Sequence, residues 1–258
     1  MKAKEIMRAV IGPEWVDNHS HWTVDCLKTG DPECEVTKIA TCLTATPDVL
    51  RAAGEWGAEL LITHEPTFYN HVDEYNEESP LSKKKMELIK SLGITIYRYH
   101  DSMHMAGVDL VNLDFIQRMG WEGDFDNDVY FVSNKPLEIR DIVDGIKANL
   151  GLKHPRIVGK TEGSVTKIKL NLGHRGGDSY RKFAEEEDFE VVIGGELCEW
   201  ADGEPIRDAA QFGAQKTLLL LGHAGSEKSS MAALARDINN RFDGAEARYF
   251  ECGELYTY

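Results

Sequence analysis

Ile39-Ala40-Thr41-Cys42-Leu43, then Pro47 with Val49, Leu50 and Ala53, then Leu60-Leu61-Ile62-Thr63-His64-Glu65-Pro66 decide the fold. The first run is short and apolar, which predicts a buried strand. Pro47 suits a first helical position, and the spacing 49, 50, 53 places one apolar face on the helix that follows. The second apolar run predicts another strand, and it stops where His64 and Glu65 begin. Strand, helix, strand is the unit of a parallel α/β sheet.

The alternation continues outward. A Lys-rich helix over 82–92 is closed by Gly93, and a strand over 94–99 runs into His100-Asp101-Ser102-Met103-His104. Val108, Val111, Phe115, Ile116 and Met119 form a helical stripe that ends at Gly120. From Gly120 to Asn134 the chain is rich in Gly, Asp and Asn and has no clear period, so a boundary is expected there. Pro136 then predicts a helix start, with Ile139, Ile142, Val143, Ile146 and Leu150 on one face and Gly151 as its cap. Strands over 156–158, 167–172, 191–193 and 217–221, helices over 179–187 and after 227, and an alternating edge strand within 248–258 complete the pattern. The expected organisation is an α/β half over 1–125, a second α/β half over 126–215, and a strand-helix unit with a C-terminal strand over 216–258 that can pack back on the first half.

The two halves echo each other. Val36-Thr37-Lys38-Ile39 recurs as Val165-Thr166-Lys167-Ile168. Each copy is followed by a strand, a helix and a second strand that ends in a glutamate, Glu65 or Glu196. The next strand in each half then ends in a His followed four residues later by a second ligand type, His100 and His104 or His223 and Glu227. Three ordered features in agreement point to an internal duplication.

Composition narrows the function. Among 258 residues, 29 are Lys or Arg and 44 are Asp or Glu, for a net charge of −15. Such a field repels phosphate backbones, so no nucleic-acid partner is expected. No apolar run approaches the ~20 residues of a membrane span, and the first residues lack a secretory pattern. The five cysteines are odd in number and have no metal-site spacing, which fits free thiols in a reducing cytoplasm.

In a parallel sheet, functional groups gather beyond the carboxyl ends of the strands. His64, Glu65, His100, Glu196 and His223 all fall there. Imidazole and carboxylate without thiolate suit Zn, Fe, Mn, Co or Ni. Glu227 stands four residues before Met231 and so continues the apolar stripe of the last helix, where a carboxylate needs a cation or donors. Its alternative is a first-turn charge that complements the helix dipole. The turn Gly173-His174-Arg175-Gly176-Gly177 is a weak anion cradle, and His19-Ser20-His21 and His71 read as solvated loop residues.

At four stretches the sequence resembles the Nif-three-like family of dinuclear metal proteins, also labelled type-2 GTP cyclohydrolase I. They are Glu59-Leu60-Leu61-Ile62-Thr63-His64-Glu65-Pro66, Tyr99-His100-Asp101-Ser102-Met103-His104, Ile193-Gly194-Gly195-Glu196-Leu197 and Gly222-His223-Ala224-Gly225-Ser226-Glu227. The resemblance implies two similar α/β domains with a two-metal site in the cleft between them. It carries over His64, Glu65, His104, His223 and Glu227 as ligands, and it implies a homo-oligomer, often a ring-shaped hexamer. Two positions depart from the family pattern: Glu65 stands where a second His is usual, and His104 where Asp is usual.

The leading expectation is a hydrolase that uses two divalent transition-metal ions to activate water on a small nucleotide-like or heterocyclic substrate. His100 is the expected general acid or base, or else a group that orients His104. The alternative is a metal-binding or metallochaperone module without turnover of its own.

Overall fold

A computed structural model describes residues 1–17, 23–175, 178–186 and 188–256. His19, Ser20, His21, Gly176, Gly177 and Glu187 lie outside the described residues. The strands are β1 (Leu27–Thr29), β2 (Lys38–Cys42), β3 (Leu60–Thr63), β4 (Thr95–Arg98), β5 (Gly123–Phe125), β6 (Tyr130–Glu138), β7 (Arg156–Gly159), β8 (Ser164–Asn171), β9 (Val191–Gly194), β10 (Thr217–Leu220) and β11 (Glu246–Tyr249). The chain divides into two compact units, Met1–Ala106 with Ser230–Tyr258, and Gly107–Ser229.

The first unit is built on a five-stranded sheet of order β1-β4-β3-β2-β11. β11, β2, β3 and β4 run parallel, and β1 is antiparallel to β4. Every residue of β3 and β4 is buried, as strands covered on both faces require. The helix Pro47–Trp56 starts where the Thr46 side chain accepts the Val49 N–H, and it stops at left-handed Gly57. Ser79 and Gly93 do the same for the helix Pro80–Leu92. Val49, Leu50 and Ala53 from the first helix and Met86 and Ile89 from the second pack on Ala40, Leu61 and Ile96 of the sheet. Burying one such Leu or Ile contributes about 1.5–3 kcal/mol.

The second unit carries a six-stranded sheet of order β5-β6-β8-β9-β10-β7. β8, β9 and β10 are parallel; β5, β6 and β7 join antiparallel. Tyr180, Phe183 and Ile206 from its helices cover Val192 and Leu218. The helix His223–Arg241 begins with residues of this unit and continues with residues of the first.

Three expectations need correction. Gly120–Asn134 contains the β5–β6 hairpin, and the first unit boundary falls at Ala106/Gly107. Burial does alternate along the start of β6, with Phe131 and Ser133 buried and Val132 and Asn134 exposed, but an apolar Val on the outer face and a polar Ser on the inner one hide that period in the sequence. Pro136 does not open a helix. It lies in β6 where pairing with β8 is interrupted between Val132 and Leu137, so its missing N–H takes no bond from the ladder, and the helix begins at Ile139. Finally, the C-terminal edge strand ends at Tyr249, well before the last residues.

Candidate functional site

In the first unit, His64 follows β3 directly and is fully buried. Its N–H reaches the carbonyls of Cys42 and Leu43, and the Glu65 N–H reaches Leu43 O at 2.7 Å. The buried Arg98 guanidinium donates from Nε to His64 O at 2.9 Å and also to His71 O. The backbone of the His64 turn is thus clamped from β2 and β4 before its side chain does anything. His64 Nδ1 lies 2.9 Å from Tyr99 O. A carbonyl only accepts, so Nδ1 carries the proton and Nε2 presents its lone pair. Burial holds the imidazole well below its ordinary pKa, with nearby His100 and His104 adding to the effect and Glu65 opposing it. The ring is neutral, as a metal ligand must be.

β4 delivers the next groups. Beyond Arg98 and Tyr99 the chain turns at His100 into the five-residue helix Asp101–Met105. Fully buried Asp25 fastens this turn: Oδ1 accepts the N–H groups of His100 (2.6 Å) and Asp101 (2.8 Å), and Oδ2 accepts the N–H of Ser102 (2.7 Å) and its hydroxyl. Asp101 returns the contact by accepting the Val24 N–H at 2.9 Å. His100 Nδ1 sits 2.9 Å from Asp101 Oδ1. Burial pushes the Asp101 carboxyl up, but hydrogen bonds from His100 and Val24 outweigh it and hold the group well below the carboxylate range.

The helix turn then places His104 Nε2 3.3 Å from His64 Nε2. Ring nitrogens of His64, His100 and His104 all lie within 4.8 Å of one another, close enough to hold a metal ion. Glu65 stands at the rim, its Oε1 4.0 Å from His64 Nε2. His71 is exposed as expected of a loop residue, yet its ring meets His100 edge-on with centroids 5.7 Å apart. The loop that carries it is fixed by the Asp73 carboxylate on the Phe68 N–H (2.6 Å) and by Lys85 Nζ on Thr67 O (2.7 Å).

The second unit offers its own set. Glu196 follows β9, and His223 opens the helix after β10. His223 Nε2 is 3.2 Å from Glu227 Oε2, one helical turn on, and its Nδ1 is 3.3 Å from Glu196 Oε1. His174 Nδ1 approaches the same Glu196 oxygen at 3.4 Å. Glu227 is 3% exposed and lies inward on the stripe that Met231 continues, whereas Lys228 is half-buried. Gly173 makes this possible. Its φ is +66°, and a Cβ there would stand 2.0 Å from Glu227 Oε1. Its N–H donates to Ser226 Oγ at 2.9 Å, and that hydroxyl donates to His223 O at 2.8 Å, so the glycine turn and the helix start are tied together.

Both sets combine imidazole nitrogen with carboxylate oxygen and contain no thiolate, which fits a borderline divalent ion such as Zn, Fe, Mn, Co or Ni. Sequence reading picked out His64, Glu65, His100, His104, His223 and Glu227, because strand ends and helical spacing announce them. It missed Asp25, Arg98 and Gly173, which act through contacts distant in sequence. It also read His71 and His174 without their imidazole and carboxylate neighbours.

A family model described as Duf34/NIF3 (NGG1p interacting factor 3) matches residues 1–252. A Clostridium perfringens protein named GTP cyclohydrolase 1 type 2 homolog is 25% identical over 228 residues, covering 84% of this chain and 83% of that one. Among solved structures, the protein ybgI, of unknown function, superposes with a TM-score of 0.77 at 22% identity, covering 99% of this chain and all of that one. Reduced HcgD from Methanocaldococcus jannaschii gives 0.74 at 18% identity over 96% and 97% of the two chains. A Bacillus cereus protein related to NIF3 gives 0.72 at 13% over 100% and 98%.

Proposed function

The chain belongs to the DUF34/NIF3 family, and from that premise we propose a divalent-metal-dependent hydrolase that holds two ions per chain. The observation that supports it most is the fixed tautomer of His64, whose Nε2 lone pair stands 3.3 Å from His104 Nε2. His64, Glu65 and His104 act as ligands from the first unit, and His223 and Glu227 from the second. When bound, such ions lower the pKa of a coordinated water and polarise a carbonyl or phosphoryl oxygen.

The chain's own residues do the rest. Tyr99 O keeps His64 in one tautomer, and Asp25 holds the turn that carries His100 and His104. Asp101 stays ionised and anchors His100 at Nδ1, which leaves His100 Nε2 to take or give a proton. The substrate class is small and nucleotide-like or heterocyclic. The name of the C. perfringens relative, GTP cyclohydrolase 1 type 2 homolog, supports that class.

Elemental analysis after reconstitution with each candidate metal, followed by a screen of hydrolysable heterocycles and nucleotides, tests the reading. Up to two ions per chain are expected, and less than about half an equivalent refutes it. His100→Ala should retain metal and lose turnover, whereas His64→Ala should lose both.

A further inference from the structure

The second unit contains a cavity of about 900 Å³ whose lining includes none of the ligand residues above. One wall is the antiparallel edge strand β7 with Lys160 just beyond it. The other is the segment Glu199–Gly203, wound as a π-helix, and the start of the helix Glu204–Gln211. A π-helical turn is rare and recurs at functional sites. Here the Cys198 N–H helps hold it by donating to Asp202 Oδ2 at 2.8 Å.

The charge of this lining runs against the rest of the molecule. The chain carries −15 overall, yet the cavity presents three cations, Arg156, Lys160 and Arg207, against two anions, Glu199 and Glu204. Arg156 Nη1 lies 3.5 Å from Glu199 Oε1, and Arg207 pairs with Glu204. Lys160 is the surplus charge: among the described residues its ammonium has no partner. Its backbone is nevertheless fixed, with its N–H on Lys216 O at 2.9 Å and its carbonyl accepting from Thr217 Oγ1 at 2.8 Å. A positioned but unpaired cation beside an apolar surface is the recognition pattern for an organic anion.

The apolar part is supplied by Val158, Leu197, Ala210 and Leu220. Gly203 shows where the space lies. It is buried, its backbone is right-handed helical at φ −78°, and a Cβ built on it meets only Leu197 Cδ1 at 3.9 Å. A larger side chain there would enter the cavity without backbone strain.

We propose that this cavity is a binding site for a small organic monoanion. A flat apolar body lies against Leu197 and Leu220, and a carboxylate is held by Lys160. The site is independent of metal, so its test is run in a chelating buffer and stands apart from the hydrolase reading.

The probe is 2-naphthoate, added to protein labelled with nitrogen-15 at glycine, with binding read from the amide signals of Gly159 and Gly203. The Gly203 signal is identified by its loss in Gly203→Leu. Half-saturation at about 1 mM or below is expected. Lys160→Met should weaken binding at least about fivefold, and so should replacing the probe with neutral 2-naphthylmethanol. Gly203→Leu should abolish it at the Gly159 signal. Silence of both signals up to about 10 mM naphthoate overturns the proposal. So does unchanged affinity in Lys160→Met, or equal binding of 2-naphthylmethylammonium. Should Gly203→Leu fail to fold, Lys160→Met decides alone, since it removes a partly exposed side chain that has no partner among the described residues.

Discussion

Glu190 occupies in the second unit the place that Glu59 occupies in the first. Glu59 Oε2 accepts the N–H groups of Thr37 (3.1 Å) and Lys38 (2.8 Å), and Glu190 Oε2 accepts those of Thr166 (2.7 Å) and Lys167 (3.0 Å). Each glutamate stands just before a parallel strand and pins its neighbour where their pairing is about to begin, and the pinned residues are the Thr and Lys of the Val-Thr-Lys-Ile repeat. Deleting either carboxylate leaves two backbone donors unpaired. Glu59→Ala and Glu190→Ala should each cost about 1–3 kcal/mol in urea unfolding. A cost in only one of them would mean that the two places are not equivalent.

Asp25→Ala tests whether a residue outside every motif governs the imidazole group. The variant releases three backbone N–H groups and one hydroxyl at the turn that carries His100 and His104. Metal affinity measured by chelator competition should fall about 10–100-fold, as for other groups that orient ligands. Wild-type affinity would show that the turn holds itself.

Gly173→Ala should displace Glu227, because its Cβ would overlap the carboxylate. Gly213 is the control. It also has positive φ, at +103°, but nothing lies within 4 Å of a Cβ placed on it. Both variants should lose about 1 kcal/mol or more to backbone strain. Only Gly173→Ala should lose metal by elemental analysis, and equal metal content in the two would sink the role given to Glu227.

Glu65 separates a ligand exchange from a loss. Glu65→His should still bind metal with an altered preference, since imidazole and carboxylate both coordinate at about 2.0–2.2 Å. Glu65→Ala should lose one of two ions. Unchanged stoichiometry in Glu65→Ala would make Glu65 a bystander at the rim.

The neutral state of His64 sets a pH dependence of stability. Its folded pKa lies well below the ordinary 6.5, chiefly through burial. Between that lower value and 6.5 the unfolded chain binds more protons than the folded one. Stability is therefore fully present above about pH 6.5 and declines as pH falls below it. Urea unfolding in a chelating buffer at several pH values should show this slope in the wild type and a shallower one in His64→Asn. Identical slopes would place the dependence elsewhere.

Much of this site could be read from the chain because parallel strands buried on both faces are apolar to their last residue. A His or Glu that follows such a run stands out, as His64, Glu196 and His223 do. Glu227 was legible for a related reason, its spacing from Met231. Asp25 gives no such signal: it owes its place to a turn 75 residues away. Gly173 sat inside a segment that reads as an anion cradle, and the group it makes room for is itself an anion, from the protein's own helix. Pro136 misled because a strand with interrupted pairing tolerates it as readily as a helix start does.

The split of the first unit has a consequence during synthesis. Its strand β2 pairs on one side with β11, which is translated after the whole of the second unit, since every residue of that unit lies between Gly107 and Ser229. The ribosome therefore releases one complete unit while the other still lacks its edge strand, leaving the backbone of Ile39 to Thr41 without its final partner. The second unit is the first able to finish folding, and the first must wait for a strand made after it.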